Sequence, residues 1–228
     1  IRCGLDRGYN VVAFDLPGHG LSSGERAVID DFSDYSQAIA DVVASCQHLT
    51  GRWQVLAQST GGAALFDYLL TRGAKPFTAA VLLAPLVRPR GWRWINPAQR
   101  ILGSFRNDVS RVFAKNSSNA AFLKFVHSDP LQSKRLSLRW LGALRRWLAN
   151  LPEQGTAPIP MLVIQGDADQ TVDWRYNVPR IQRLFKGVQL EMLPGARHHL
   201  ANESELYMKQ IFRLSDHFLR ADSEEEAS

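Results

Sequence analysis

The run W-Q-V-L-A-Q-S-T-G-G at residues 53–62 joins a short apolar segment to a serine and two glycines. Its first part, Trp53 to Gln58, has the composition of a buried strand. A helical repeat follows directly, formed by Ala64, Leu65, Tyr68 and Leu69. The pattern therefore predicts that Ser59 lies on a sharp turn between a strand and a helix. Such a turn needs small residues two positions before and after the serine, and Ala57 and Gly61 are small.

Strand-like segments recur along the chain, each bounded by Gly, Pro or polar residues: Asn10 to Asp15, Thr78 to Leu86, Pro160 to Gln165 and Val188 to Leu193. A helical repeat lies between the first segment and the strand at Trp53, formed by Phe32, Tyr35, Ile39, Val42 and Val43. Alternating strands and helices predict an α/β fold, with a mostly parallel sheet covered by helices on both faces. Ligands of such sheets bind where the strands end, so the loops that follow the strands are the places to look for chemistry.

One long segment interrupts the alternation. Between Arg88 and Ile159 no strand is predicted, and residues 136–150 form a strongly amphipathic helix. We interpret residues 1–87 and 160–221 as the core, which closes with a helix at Glu203 to Ala221. Residues 88–159 form a helical cap or lid, and residues 222–228 an acidic tail that we expect to be disordered.

Charge is distributed unevenly between these parts. The whole chain has a formal charge of +5 and an ordinary globular composition, 45% hydrophobic and 21% charged. The segment from Arg88 to Asn150, however, holds thirteen Lys or Arg against two Asp, and four tryptophans: Trp92, Trp94, Trp140 and Trp147. A basic, tryptophan-containing insert indicates contact with something anionic, such as a membrane surface or a charged substrate, or else a solvated face. No nucleic-acid-binding module is recognisable, and we expect no nucleic-acid partner.

Two further loops carry groups that could activate a serine. The first, Gly166 to Asp173, contains Asp167, Asp169 and Asp173, and the second, Gly195 to His199, ends in His198 and His199. A serine hydroxyl becomes a good nucleophile when a histidine takes its proton and a carboxylate orients that histidine. Both loops follow predicted strands, in the chain order Ser, Asp, His. The residues thus predict a catalytic triad, with the choice among the aspartates and between the histidines left open.

Other candidate sites are weaker. The histidine pair lacks the H-x-x-x-H spacing and the neighbouring carboxylates or cysteines of a metal site, and we expect neither metal nor cofactor. The glycine-rich loop from Asp15 to Gly24 reads as a structural turn, so that His19 is not expected to be catalytic. Cys3 and Cys46 indicate neither a disulfide framework nor a cysteine metal site.

Four motifs together resemble the α/β-hydrolase superfamily: D-x-P-G-H-G-x-S-x-G at Asp15 to Gly24, the turn at Ser59, G-x-x-D-x-x-V at Gly166 to Val172, and G-A-R-H at Gly195 to His198. Within it the chain is similar to the monoacylglycerol lipase and lysophospholipase branch, which is often grouped with serine aminopeptidase S33 domains. The resemblance implies Ser59 as nucleophile, Asp169 as the acid, His198 as the base, and the backbone N–H of Thr60 as an oxyanion donor. It also implies residues 88–159 as the cap.

The function implied is a serine hydrolase that cleaves carboxylic esters of small lipid-like substrates, monoacylglycerols or lysophospholipids, through an acyl-enzyme. An S33-type peptidase and a non-catalytic binding protein on the same scaffold are the alternatives. A cytoplasmic or peripheral membrane location is expected, although a signal peptide could have preceded Ile1. The oligomeric state is left open.

The chain departs from the family pattern in two places. Ala57 replaces the first glycine of the G-x-S-x-G turn. The family also begins with further strands and an H-G loop that supplies an oxyanion donor, whereas Ile1 corresponds to the helix after that loop. The resemblance therefore implies that the amino-terminal strands are missing from this sequence.

Overall fold

The structure is a computed structural model that describes residues 1–102, 107–110 and 114–225. Its helices are α1 (Arg2–Leu5), α2 (Ser33–Ser45), α3 (Thr60–Arg72), α4 (Trp92–Leu102), α5 (Ala120–Ser128), α6 (Leu138–Asn150), α7 (Trp174–Leu184) and α8 (Glu205–Glu225). Its strands are β1 (Trp53–Gln58), β2 (Phe77–Leu83), β3 (Asp108–Ser110), β4 (Arg135–Ser137), β5 (Met161–Gly166) and β6 (Gln189–Leu193). A 3₁₀ turn, Leu200–Asn202, precedes α8.

The main sheet has four strands in the order β1-β2-β5-β6, and every neighbouring pair is parallel. Alternate residues of its central strands enter different cores. Ala80 and Leu82 of β2 pack with buried residues of α2, α3, α6 and α7, whereas Val81 and Leu83 pack with Ile211 and other residues of α8. The sheet is therefore covered by helices on both faces, and the predicted α/β class, with a mostly parallel sheet, is confirmed.

Helix α6 is one part of the segment between β2 and β5 that is fixed to this body. The indole N–H of Trp147 donates to Asp67 Oδ1 on α3 at 3.0 Å, and that of Trp140 donates to the Tyr35 hydroxyl on α2 at 3.0 Å. Arg139 bridges to Asp30 at 2.7 Å. Helix α4 packs in turn on α6. The bounds of the cap as a separate unit, residues 88–159, stay a prediction.

The structure differs from the predicted elements at the start of the chain. Asn10 to Asp15 is not a buried strand: its backbone forms no ladder with another described strand, and Val11, Val12 and Phe14 are 38–44% exposed. An apolar run becomes a strand only when a neighbouring strand takes up its N–H and C=O groups. Here β1, at the edge of the main sheet, does not pair with Asn10 to Asp15.

Two other differences are smaller. The insert contains a pair of three-residue antiparallel strands, β3 and β4, where none was expected. The closing helix α8 continues to Glu225, so the first part of the predicted acidic tail is helical. Residues 226–228 lie outside the described residues.

Candidate active site

Ser59 lies between the last residue of β1 and the first residue of α3, as predicted, in a strained conformation. Its φ of 52° and ψ of −115° are uncommon for a residue with a side chain. Backbone hydrogen bonds hold it there: its N–H donates to Leu83 O, and its carbonyl accepts from Leu86 N and Gly62 N, all at 3.0 Å. The turn is thereby anchored to the end of β2, and the Ser59 side chain is held at the carboxyl edge of the sheet.

The small residues around this turn have unequal roles. A Cβ built on Gly62 would lie 2.9 Å from Pro85 Cβ, too close for any side chain without movement. A Cβ on Gly61 would lie 3.7 Å from Ala57 Cβ, an ordinary contact distance. Ala57 in place of the first glycine therefore leaves the turn undistorted, and the tight position is Gly62, which the motif alone did not reveal.

Asp169 and His198 lie within hydrogen-bonding reach of Ser59 in a single chain of contacts. Asp169 Oδ2 is 2.8 Å from His198 Nδ1, and His198 Nε2 is 2.9 Å from Ser59 Oγ. Both members are buried, His198 at 3% and Asp169 at 5% exposure. The carboxylate can accept only from a protonated Nδ1, which leaves Nε2 as an acceptor for the serine hydroxyl.

The environment of Asp169 favours its ionised form. Burial raises the pKa of this carboxyl, but the hydrogen bonds from His198 and from the backbone N–H groups of Thr171 and Val172 outweigh that effect, and the pKa of Asp169 is lowered. The two backbone donors lie 2.7 and 3.1 Å from Oδ1. The amide of Gln165 also donates to Oδ2, at 3.2 Å. Asp169 is thus an anion held in one orientation toward His198.

The competing aspartates are engaged elsewhere. Asp167 accepts the backbone N–H of Gly195 at 2.7 Å, and Asp173 forms an ion pair with Arg88 at 2.7 Å. His19 lies 3.1 Å from Pro17 O and packs edge-on against Tyr35. Of the aspartates that the sequence left open, Asp169 is therefore the one that contacts the histidine next to Ser59.

His199 does not contact Ser59 in the way that His198 does. Its Nδ1 lies 3.2 Å from the side-chain nitrogen of Gln58, and its ring packs edge-on against Phe122. Neither Gln58 nor Gln165 was predicted from the sequence to be a site residue. The signal was present, since each is a polar residue at or next to the end of a mostly apolar strand.

Thr60 is the first residue of α3, so no earlier turn of the helix can accept its backbone N–H. This donor follows Ser59 directly and lies at the positive end of the helix dipole. Among the described residues, no group of three or more His, Cys, Asp or Glu is placed to hold a metal ion. Nor does any helix there combine the length and apolar character of a membrane span.

The sheet is parallel and covered on both faces, and a serine lies on a strained turn between a strand and a helix. A hydrogen-bonded histidine and aspartate follow later strands. Together these features define an α/β-hydrolase. The chain belongs to the serine aminopeptidase S33 family, whose model matches residues 5–205. The predicted resemblance is confirmed, and the protein is a hydrolase by family.

Comparison with individual proteins gives distant similarities. The chain is 22% identical to phospholipase YtpA of Bacillus subtilis, covering 87% of this chain and 80% of that protein. It is 28% identical to the human monoglyceride lipase, covering 89% and 70% respectively. The crystal structure of Paleococcus ferrophilus monoacylglycerol lipase superposes with a TM-score of 0.73 at 20% identity, covering 91% of this chain and 82% of that one. At that identity the superposition shows the shared fold.

Proposed function

We propose that this protein is a serine hydrolase that cleaves carboxylic esters of small lipid-like molecules, monoacylglycerols or lysophospholipids, through an acyl-enzyme intermediate. The observation that carries the proposal is the contact chain from Ser59 Oγ through His198 to Asp169. A serine with such partners can be deprotonated as it attacks. The three side chains come from three different loops at one edge of the sheet.

In the proposed reaction Ser59 Oγ attacks the ester carbonyl carbon while its proton passes to His198 Nε2. Asp169 stabilises the imidazolium that forms, without taking the proton itself. The developing oxyanion accepts from the backbone N–H of Thr60. His198 then protonates the leaving alcohol, and a water molecule, deprotonated by the same histidine, hydrolyses the acyl-enzyme.

An ester substrate is favoured over a peptide by the charges of the insert. A peptidase that takes a free amino terminus needs a carboxylate to bind the substrate amine. The insert has two before Asn150, and both have partners: Asp108 pairs with Arg135, and Asp129 accepts the backbone N–H of Leu131 at 2.9 Å. The names of the phospholipase and the monoglyceride lipase among the relatives support a lipid ester.

We also propose that α4 is the part of the insert that meets an anionic membrane. The leucines of α6, Leu141 and Leu144, are buried against the body, which leaves that helix no apolar face for lipid. In helix α4, by contrast, Trp94 is 70% exposed and Ile101 is 67% exposed, and the two lie on one face of the helix. The same helix also carries exposed arginines. Tryptophan and arginine together favour the headgroup region of anionic lipids.

Labelling with a fluorophosphonate probe tests the catalytic proposal, since only an activated serine reacts. We expect the wild-type chain to be labelled and to hydrolyse monoacylglycerol and lysophospholipid esters, and Ser59→Ala to do neither while it keeps its fold. Asp169→Asn and His198→Ala should be severely impaired. A panel of aminoacyl amides provides the peptidase control. Unlabelled, inactive wild-type protein would favour a binding protein on a hydrolase scaffold.

A further inference from the structure

Glu203 is a fully buried carboxylate that lies outside the contact chain of Ser59, His198 and Asp169. It follows the 3₁₀ turn Leu200–Asn202 and accepts from three separate backbone N–H groups and one hydroxyl. Its donors are Arg197 N at 2.9 Å, Ser118 N at 2.8 Å, Ser204 N at 3.1 Å and the Ser118 hydroxyl. A buried acid with so many donors in one place holds distant parts of the chain together.

The parts that Glu203 joins are the loop that carries His198 and the insert. Arg197 directly precedes His198, and its N–H is bound by Oε1. Ser118 lies in the insert, shortly before α5, and is bound by Oε2. One carboxylate thus connects the loop that carries His198 to the insert.

The stretch at residues 115–118, here called the clasp, strengthens this connection between the insert and the histidine loop. It forms four more hydrogen bonds, which are Arg197 Nη1 to Lys115 O at 3.1 Å, His199 N to Asn116 O at 2.8 Å, Thr171 Oγ1 to Asn116 Oδ1 at 2.9 Å and Ser117 Oγ to Asn202 O at 2.8 Å. The clasp therefore contacts both the histidine loop and the loop of Asp169.

Glu203 is held as an anion where the insert meets the histidine loop. Burial alone raises the pKa of its carboxyl, but the hydrogen bonds from the Ser118 hydroxyl and from the surrounding backbone N–H groups outweigh burial, and the pKa of Glu203 is lowered. A buried anion is stable only while its donors stay in place. Separation of the clasp from the histidine loop would remove two of the four donors of this charge, the backbone N–H and the hydroxyl of Ser118, so the two sides are coupled.

We propose that Glu203 is a positioning residue that couples docking of the clasp to the placement of His198 against Ser59 and Asp169. Its effect on turnover rests on the proposed function, whereas its effect on the histidine does not. A displacement of the base by about 1 Å can cost about 100-fold in rate. The role is therefore visible in turnover as well as in stability.

The test is Glu203→Gln, which keeps the shape but puts an amide N–H₂ group against N–H donors. We expect kcat for a monoacylglycerol ester and the rate of fluorophosphonate labelling to fall together by about 10- to 100-fold. KM should change by less than about threefold, because the carboxylate lies outside the contacts assigned to substrate chemistry. Glu203→Asp, which keeps the charge, should recover part of the rate. The matched control is Glu205→Gln, which removes an exposed carboxylate paired with Lys209 and should leave kcat unchanged.

A second measurement does not depend on activity. The proton on His198 Nδ1, hydrogen-bonded to Asp169, should give a downfield ¹H NMR resonance that disappears in His198→Ala. We expect Glu203→Gln to shift or abolish it and Glu205→Gln to leave it in place. If Glu203→Gln does not fold, Ser118→Ala removes one donor and should shift the resonance less.

The resonance decides the outcome. An unchanged resonance in the folded variant, or a wild type without one, overturns the positioning role whatever the hydrolysis rates are. A wild type that shows the resonance but hydrolyses no ester defeats the proposed function alone, and the shift in the variant still tests Glu203.

Discussion

The side chain of Gln58, the residue directly before Ser59, contacts the loop that carries His198. Its amide nitrogen lies 3.2 Å from His199 Nδ1, and its oxygen accepts the backbone N–H of Ala201 at 3.1 Å. The end of β1 and the histidine loop are therefore joined by contacts separate from the hydrogen bond between His198 and Asp169. His199 serves this link, and His198 is left to contact Ser59.

The first prediction concerns the two histidines. His198→Ala should lower kcat for ester hydrolysis by about 10⁶-fold, because it removes the proposed base. His199→Ala should lower it by at most about 100-fold, the cost of a small misplacement. Steady-state kinetics with a soluble acyl ester measures both.

Far-ultraviolet circular dichroism serves as the control that both histidine variants are folded. If His199→Ala loses as much activity as His198→Ala while folded, the assignment of His198 as the base is wrong.

Local pattern was enough to predict part of this site. The strand at Trp53–Gln58 was predicted with its observed bounds, because composition and the following glycines mark that turn within ten residues. The choice of Asp169 and His198 came from motif spacing, and the hydrogen bonds between them were not visible in the sequence.

What the sequence did not reveal depends on contacts between distant residues. Ser118 and Glu203 are 85 positions apart, and no periodicity links them. The apolar face of α6 was evident, but whether lipid or protein covers it depends on Asp67 and Tyr35, which come from other helices. Asn10 to Asp15 has the composition of a strand yet lacks a paired neighbour among the described strands.

The second prediction tests how the insert is attached to the body. Trp147→Phe removes the N–H that binds Asp67 Oδ1, and Asp67 Oδ2 already has no partner among the described residues. Leaving a buried carboxylate without donors should lower the free energy of unfolding by about 1–3 kcal/mol. Chemical denaturation measures the change. Stacking against Phe32, with ring centroids 4.9 Å apart in the wild type, can be retained in part.

The control for this substitution is Trp94→Phe, on an exposed residue, which should change stability by less than about 0.5 kcal/mol. Adding Asp67→Leu to Trp147→Phe should restore part of the loss, since both polar partners are then gone. Equal stability of Trp147→Phe and the wild type would refute the role of this hydrogen bond.

The third prediction is a pH dependence of stability. The pKa of Glu203 is lower in the folded protein than the ordinary value it regains on unfolding. Its contribution is therefore fully present above the unfolded pKa and is lost as pH falls through the folded pKa. The difference in Tm between the wild type and Glu203→Gln should be largest near pH 7 and should shrink below about pH 4.

Differential scanning calorimetry at several pH values measures that difference. Glu205→Gln is the comparison, because its exposed pair with Lys209 is screened by salt, so that any difference should vanish at high ionic strength. The Glu203→Gln difference should persist. A Tm difference for Glu203→Gln that grows on acidification would contradict an ionised Glu203.

The last prediction locates the membrane contact on α4. Trp94→Ser combined with Ile101→Ser removes two large side chains of that helix that the structure describes as exposed, and should weaken sedimentation with anionic phospholipid vesicles severalfold. Added salt should weaken binding of the wild type as well, since each basic residue near the surface contributes about 1 kcal/mol.

Leu206→Ser, which removes a 77% exposed leucine from α8, is the matched control and should bind like the wild type. Arg146→Glu is a poor probe of lipid contact, because Arg146 already donates to the backbone carbonyl of Asp30. Equal binding of the wild type and the α4 variant, or equal binding to neutral and anionic vesicles, would show that α4 does not recognise an anionic surface.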